Sequence, residues 1–116
     1  MVIEPHLGLL EAILAPWKDA IGKDFDAYRN HVYRMIHFCL ALHACGDVEK
    51  QKIIIAGAFH DIGIWSDSTI DYLPPSCARA RAYLIENKLD DWIPEIEAMI
   101  DEHHKLRAYR DARFPL

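Results

Sequence analysis

Long apolar runs are missing from this chain of 116 residues. None approaches the ~20 residues that a helix needs to cross a bilayer, which argues against a membrane protein. Clusters of Lys and Arg are missing too. With a net charge of -5 when His is neutral, the chain is not expected to bind nucleic acid in general, because that requires a basic surface facing the phosphates. A nucleotide substrate stays open. Cysteine is scarce: Cys39, Cys45 and Cys77 are odd in number and contain no CxxC spacing. Neither a disulfide framework nor a cysteine zinc site is therefore expected, and a reducing cytoplasm is the natural setting. The stretch Met1-Val2-Ile3-Glu4-Pro5 lacks the basic region of a signal peptide. No strand alternation, internal repeat, low-complexity tract or interdomain linker is visible. What is present is a composition normal for a soluble protein, 52% hydrophobic and 27% charged. The length suits one compact domain over residues 1–116.

The hydrophobic pattern predicts helices nearly throughout. A first helix spans roughly Pro5 to Ala15, with Leu7, Leu10, Ile13 and Leu14 on its apolar side and Pro16 ending or bending it. Gly22 marks a break. Asp24 is a candidate N-cap for a long second helix over about residues 25–45, with Gly46 just past its end. Its core stripe reads Val32, Met35, Phe38 or Cys39, Leu42 and Cys45. Asp47 is the candidate cap of a third helix over about residues 48–64. Trp65 to Pro75, with Pro74-Pro75, reads as a loop. Ser76 caps a fourth helix reaching about Lys88, and a fifth begins near Asp91 or Trp92, tolerates Pro94 in its first turn and runs through His104. The expected fold is an all-α bundle of about five helices.

His60-Asp61 is the feature that points to chemistry. The pair sits in Ile53-Ile54-Ile55-Ala56-Gly57-Ala58-Phe59-His60-Asp61-Ile62-Gly63-Ile64, where almost every neighbour is apolar. A buried carboxylate is costly unless something compensates it. A metal ion does so economically, since neutral imidazole nitrogen and ionised carboxylate oxygen are both good ligands. The second and third helices are joined by only about two residues, so an antiparallel hairpin is expected. His31 lies 15 residues before Gly46 and His60 lies 14 after it. At ~1.5 Å rise per residue, both stand roughly 21–22 Å from the turn. His31 shares a face with Arg34, Met35, Phe38 and Leu42, and His60 shares one with Ile53, Ala56, Gly57 and Ile64. Ala56 and Gly57 are small and let the helices approach closely. His31, His60 and Asp61 are thus expected to converge as metal ligands.

The chain has seven His. His6 and His43 are assigned ordinary structural roles, and His37, about 240° around the helix from His31, falls outside the site. His103 and His104 extend the apolar stripe of Ile93, Ile96, Met99 and Ile100 in the fifth helix. Two roles stay open for them: caps of the last helical turn, where His is favoured, or second-metal ligands and contacts to a phosphate and leaving group. Arg34, one turn after His31, is either a fork for phosphate oxygens or a salt-bridge partner. In the 65–75 stretch, Trp65, Asp67, Asp71 and Tyr72 either contact a substrate or are simply solvated.

Three segments taken together resemble the HD-domain superfamily of metal-dependent phosphohydrolases: His31-Val32-Tyr33-Arg34, Ala58-Phe59-His60-Asp61-Ile62-Gly63 and Ile100-Asp101-Glu102-His103-His104. The resemblance covers about residues 25–110. The dipeptide alone is a weak signal; its place at the end of an apolar helix, with His-x-x-Arg upstream, is more specific. The resemblance implies an all-α, HD-like fold in which a divalent metal (Mn, Mg, Zn, Co, Ni or Fe) is held by His31, His60, Asp61 and a later Asp. It further implies hydrolysis of a small-molecule phosphate ester, a nucleotide among the candidates. Asp61 would then serve the catalytic metal and Arg34 the substrate, while His103 or His104 stabilises developing charge or protonates the leaving group. A homodimer is the candidate assembly.

Two departures from the family pattern shape this expectation. The later Asp usually lies on a helix well beyond the His-His region, whereas this sequence stops at Leu116, 12 residues after His104, and its one Asp there, Asp111, comes too early. The expectation is a fragment lacking the C-terminal helices, or an unusually short member with an incomplete site. Residues 62–102 contain no His, where binuclear members usually carry one. Ile64 stands where the cyclic-dinucleotide phosphodiesterase branch has a Lys after HD-Ile-Gly. Both favour a mononuclear phosphohydrolase. Two rival readings remain: an HD-type di-iron oxygenase, which the missing middle His disfavours, and a non-catalytic helical module that binds a nucleotide or a partner protein.

Overall fold

The structure of the chain, a computed structural model, describes residues 7–42, 46–67 and 73–101. Every regular element among the described residues is helical. The order is α1 Gly8–Leu14, α2 Lys18–Ile21, α3 Phe25–Leu42, α4 Asp47–Phe59, α5 Gly63–Ser66 and α6 Leu73–Glu86, followed by α7 over residues 93–101. Short 3-10 turns fill Ala15–Trp17, Gly22–Asp24 and Asp90–Trp92. The all-α class is therefore as expected, and no helix among the described residues is long and apolar enough to cross a membrane. The chain divides into two compact units, Met1–Ala58 and Phe59–Leu116.

In the first unit, α1 buries Leu10, Ile13 and Leu14, the stripe its spacing predicts. Pro16 falls in the 3-10 turn that follows. Gly22 ends α2 with φ of 65°, a backbone region that glycine enters without a Cβ clash. Asp24 belongs to the 3-10 turn leading into α3. The buried side of α3 is Tyr28, Val32 and Ile36, with Tyr33 at its edge. This corrects the predicted stripe: Phe38 is 64% exposed, and Met35 and Cys39 are only half-buried.

Tyr33, at the edge of the inward side of α3, has its hydroxyl satisfied by the chain around α1. The Tyr33 hydroxyl donates to Glu11 and accepts the Leu7 N–H at 3.0 Å. Arg29 donates from Nε to both Glu11 oxygens, at 3.1 and 2.9 Å, and its guanidinium carbon lies 5.1 Å from the centre of the Tyr33 ring. Burial first, and then the bond to Glu11, pushes the Tyr33 phenol above its usual pKa. A buried tyrosine offers large apolar area only if its hydroxyl is satisfied, and α1 supplies that partner.

Gly46, not Asp47, holds the cap position of α4. Lys50 N–H reaches the Gly46 carbonyl at 3.0 Å, and Glu49 accepts the Gly46 N–H at 3.2 Å, the backward half of a capping box. Asp47 is the first helical residue, where its charge complements the helix dipole.

In the second unit, α5 packs on α6. Helix α6 begins at Leu73, ahead of the predicted cap Ser76, with Pro74 and Pro75 in its first turn. Proline costs little there because a first-turn N–H has no helical acceptor. At the other end, Lys88 takes φ of 59°, with Leu89 N–H bonded to Leu84 O at 2.7 Å and Lys88 N–H to Ile85 O at 3.1 Å. This is a Schellman closure. Buried apolar side chains are Phe59, Ile62, Ala80, Leu84, Ile96 and Ile100, and the Phe59 and Tyr83 rings meet at 5.5 Å. Of the stripe predicted for α7, Ile96 and Ile100 are buried, while Ile93 and Met99 are only half-buried. Arg81 bridges to Glu97 at 2.7 Å on the surface. Nearby, burial, with Glu97 and Asp101 behind it, raises the Cys77 thiol pKa.

Candidate metal centre

Helix α4 carries the run Ile53-Ile54-Ile55, which has only modest helix propensity. Burial holds it helical: Ile54, Ile55, Ala56, Ala58 and Phe59 are all inside. The helix stops at Phe59, five residues short of the predicted end. His60 and Asp61 therefore lie in the turn between α4 and α5 rather than on a continuous helix, and His60 does not share a helical face with Ile64.

Hydrogen bonds account for the break. In an uninterrupted helix the Ala58 carbonyl would receive the Ile62 N–H. Here that amide turns to Phe59 O at 3.2 Å, an i to i+3 closure, and the buried Tyr28 hydroxyl donates to Ala58 O at 2.8 Å. Ile64 N–H bonds to Asp61 O at 3.1 Å, and Gly63 N–H donates to Ser76 Oγ at 2.9 Å. Tyr28 and Ser76 are the residues that sequence reasoning missed. Tyr28 precedes Val32 and Ile36 at four-residue spacing, a signal of burial that was there to be read. Ser76 looked like an ordinary helix cap.

The turn places a buried imidazole against a buried carboxylate. The His60 and Asp61 side chains are 2% and 8% exposed, with His60 Nε2 and Asp61 Oδ2 3.1 Å apart. Ligand atoms on adjacent corners of a coordination sphere with bonds of about 2.1 Å stand roughly 3.0–3.4 Å apart, so the separation suits a shared cation. The pair also follows directly on the carbonyl end of α4, whose partial negative charge favours a cation. A neutral nitrogen beside a carboxylate oxygen is a donor set that Zn, Mn, Fe, Co and Ni all accept.

His31 is half-buried near the middle of α3. Within the first unit, a Cβ built on Gly57 would stand 3.1 Å from Ile36 Cγ1 and 3.2 Å from Met35 Cε, and Ala58 is bonded to Tyr28. The last turn of α4 thus runs beside the segment of α3 between Tyr28 and Ile36, which carries His31. Gly57 permits this close approach, as its small size suggested. His31, His60 and Asp61 each offer one atom able to bind a metal. Arg34, one turn after His31, is exposed.

Other candidates have different surroundings. His37 packs against the Tyr33 ring at 5.9 Å. Asp67 accepts from Ser66 at 2.7 Å and from Arg79 at 3.0 Å; these two bonds hold its carboxyl below the usual pKa, so an exposed ion pair accounts for it. Trp65 is half-buried in α5. His6, His43, Asp71, Tyr72, His103, His104 and Asp111 lie outside the described residues. No family model, curated protein or solved structure matches the chain.

Proposed function

We propose that His31, His60 and Asp61 hold a divalent cation and that the chain hydrolyses a small-molecule phosphate ester, in the manner of the HD-domain phosphohydrolases its motifs resemble. The observation that carries this reading is the buried His60-Asp61 pair, with its two ligand-type atoms 3.1 Å apart at the carbonyl end of a 13-residue helix. The position of His31 on the stretch of α3 beside the last turn of α4 supports it further.

A cation held there supplies Lewis-acid chemistry, acidifying a water and polarising a phosphoryl oxygen. The chain's own groups do the rest. Asp61 contributes the negative charge that balances the cation, and its burial excludes competing water. Arg34 presents a planar, permanently charged fork to phosphate oxygens. His103 or His104 delivers a proton to the leaving oxygen. The cytoplasmic setting inferred from the three cysteines, and a nucleotide as the ester, belong to the same reading.

Replacing Asp61 with Ala tests it. Elemental analysis of protein purified without added metal, and turnover on a panel of phosphate monoesters and nucleotides with Mn²⁺, are the measurements. Wild type is expected to carry metal and turn over, and Asp61→Ala is expected to lose both. A variant that keeps its metal and its rate refutes the assignment. Bound iron with O₂-dependent turnover would point to the oxygenase reading, and metal-free, inactive wild type to the binding module.

A further inference from the structure

Ser76 lies in α6, where its side chain is fully buried. A hydroxyl inside a helix is slightly less favourable than a methyl, and burying it requires a hydrogen-bond partner. The partner is Gly63 N–H, at 2.9 Å. Gly63 is itself buried and is the first residue of α5. First-turn amides have no acceptor within their own helix, and the residue in the cap position, Ile62, makes no side-chain cap bond. Ser76 therefore caps α5 from a neighbouring helix. Pro74 and Pro75, immediately before it, restrict the backbone of the first turn of α6.

This cap closes the turn that holds the His60-Asp61 pair. The Asp61 carbonyl is held by Ile64 N–H at 3.1 Å, and the amide two residues after Asp61 is held by Ser76. These two bonds restrain the backbone on the C-terminal side of Asp61, whose Oδ2 lies 3.1 Å from His60 Nε2. We infer that Ser76 is a positioning residue: its Oγ, by capping Gly63, sets the orientation of the His60-Asp61 pair for cation binding. This rests on the metal reading above for its consequence, but not for its geometry.

The test compares Ser76→Ala with Ala80→Gly, a change one turn further along the buried side of the same helix that loosens α6 and leaves the Gly63 bond intact. Three quantities are read in full-length protein: the His60 imidazole NMR resonances without metal, the exchange rate of the Gly63 amide, and Mn²⁺ affinity by titration. Ser76→Ala is expected to shift the His60 resonances, speed Gly63 exchange at least about tenfold and weaken Mn²⁺ binding by about tenfold, the scale of a lost supporting hydrogen bond at a metal site. Ala80→Gly is expected to lower thermal stability while leaving the His60 resonances and Mn²⁺ affinity at wild-type values. Unchanged His60 resonances in Ser76→Ala, or equal shifts in both variants, overturn the positioning role. Wild type that takes up no Mn²⁺ overturns the metal reading instead, and the metal-free resonances alone then decide the role of Ser76.

Discussion

Replacing Glu11 with Ala removes the acceptor at the centre of the α1–α3 junction, and the structure says how the loss divides. The Arg29 and Glu11 side chains are 33% and 28% exposed, so solvent screening limits their ion pair to about 0.5–1 kcal/mol despite its good geometry. Tyr33 differs: it is buried, and its hydroxyl donates to a charged acceptor, an interaction worth about 1.5–3 kcal/mol. Its oxygen still accepts the Leu7 N–H after the change, so the lower part of that range applies, roughly 1.5–2 kcal/mol. The expected total is about 2–3 kcal/mol, a fall in Tm of roughly 8–12 °C for a chain of this size. Urea denaturation of Glu11→Ala, with double-mutant cycles to Tyr33→Phe and Arg29→Met, separates the two parts. The Glu11–Tyr33 coupling should exceed the Glu11–Arg29 coupling. A loss below about 1 kcal/mol, or the reverse order of couplings, refutes the argument that burial of the hydroxyl dominates.

Alkaline pH should weaken the fold. Tyr33, Tyr83 and Cys77 all have raised pKa values, with burial the largest cause in each. The folded chain then keeps protons that the unfolded chain releases, so their contribution is intact below the unfolded values, about 8.5 for Cys and 10 for Tyr, and is lost as pH climbs through the folded ones. Melting curves between pH 8 and 11 should show Tm falling, and Tyr33→Phe should flatten the fall. Gly57→Ala should be mildly destabilising: the Met35 methyl can swing away from the new Cβ, but Ile36, at 3.1 Å, is β-branched and stiff. Overpacking of about 1–3 kcal/mol then outweighs roughly 1 kcal/mol of gained helix propensity, which chemical denaturation can measure.

The helices were legible because their signals are local. Leu10, Ile13 and Leu14 repeat at helical spacing and are buried; so do Ile96 and Ile100. Gly22 broke the helix where its backbone freedom was needed. The inward side of α3 was less legible, since Met35 and Phe38 carry as strong an apolar pattern as Tyr28 and Ile36. Glu11 and the Leu7 N–H, 22 and 26 positions earlier in sequence, give the Tyr33 hydroxyl the partners that its burial requires.

For the candidate centre, the sequence by itself determined the chemistry on offer: a His-Asp pair behind an apolar helix, with a second His and an Arg upstream. Composition and spacing suffice for that, because ligand type is a property of the residue. The tertiary structure decided the setting of the pair. Nothing in the local pattern ends α4 at Phe59, and a continuous helix would satisfy the same periodicity. The end comes from the Tyr28 hydroxyl at the Ala58 carbonyl and the Ser76 hydroxyl at the Gly63 amide. Both bonds join residues at least 13 positions apart, a separation that no helical repeat encodes.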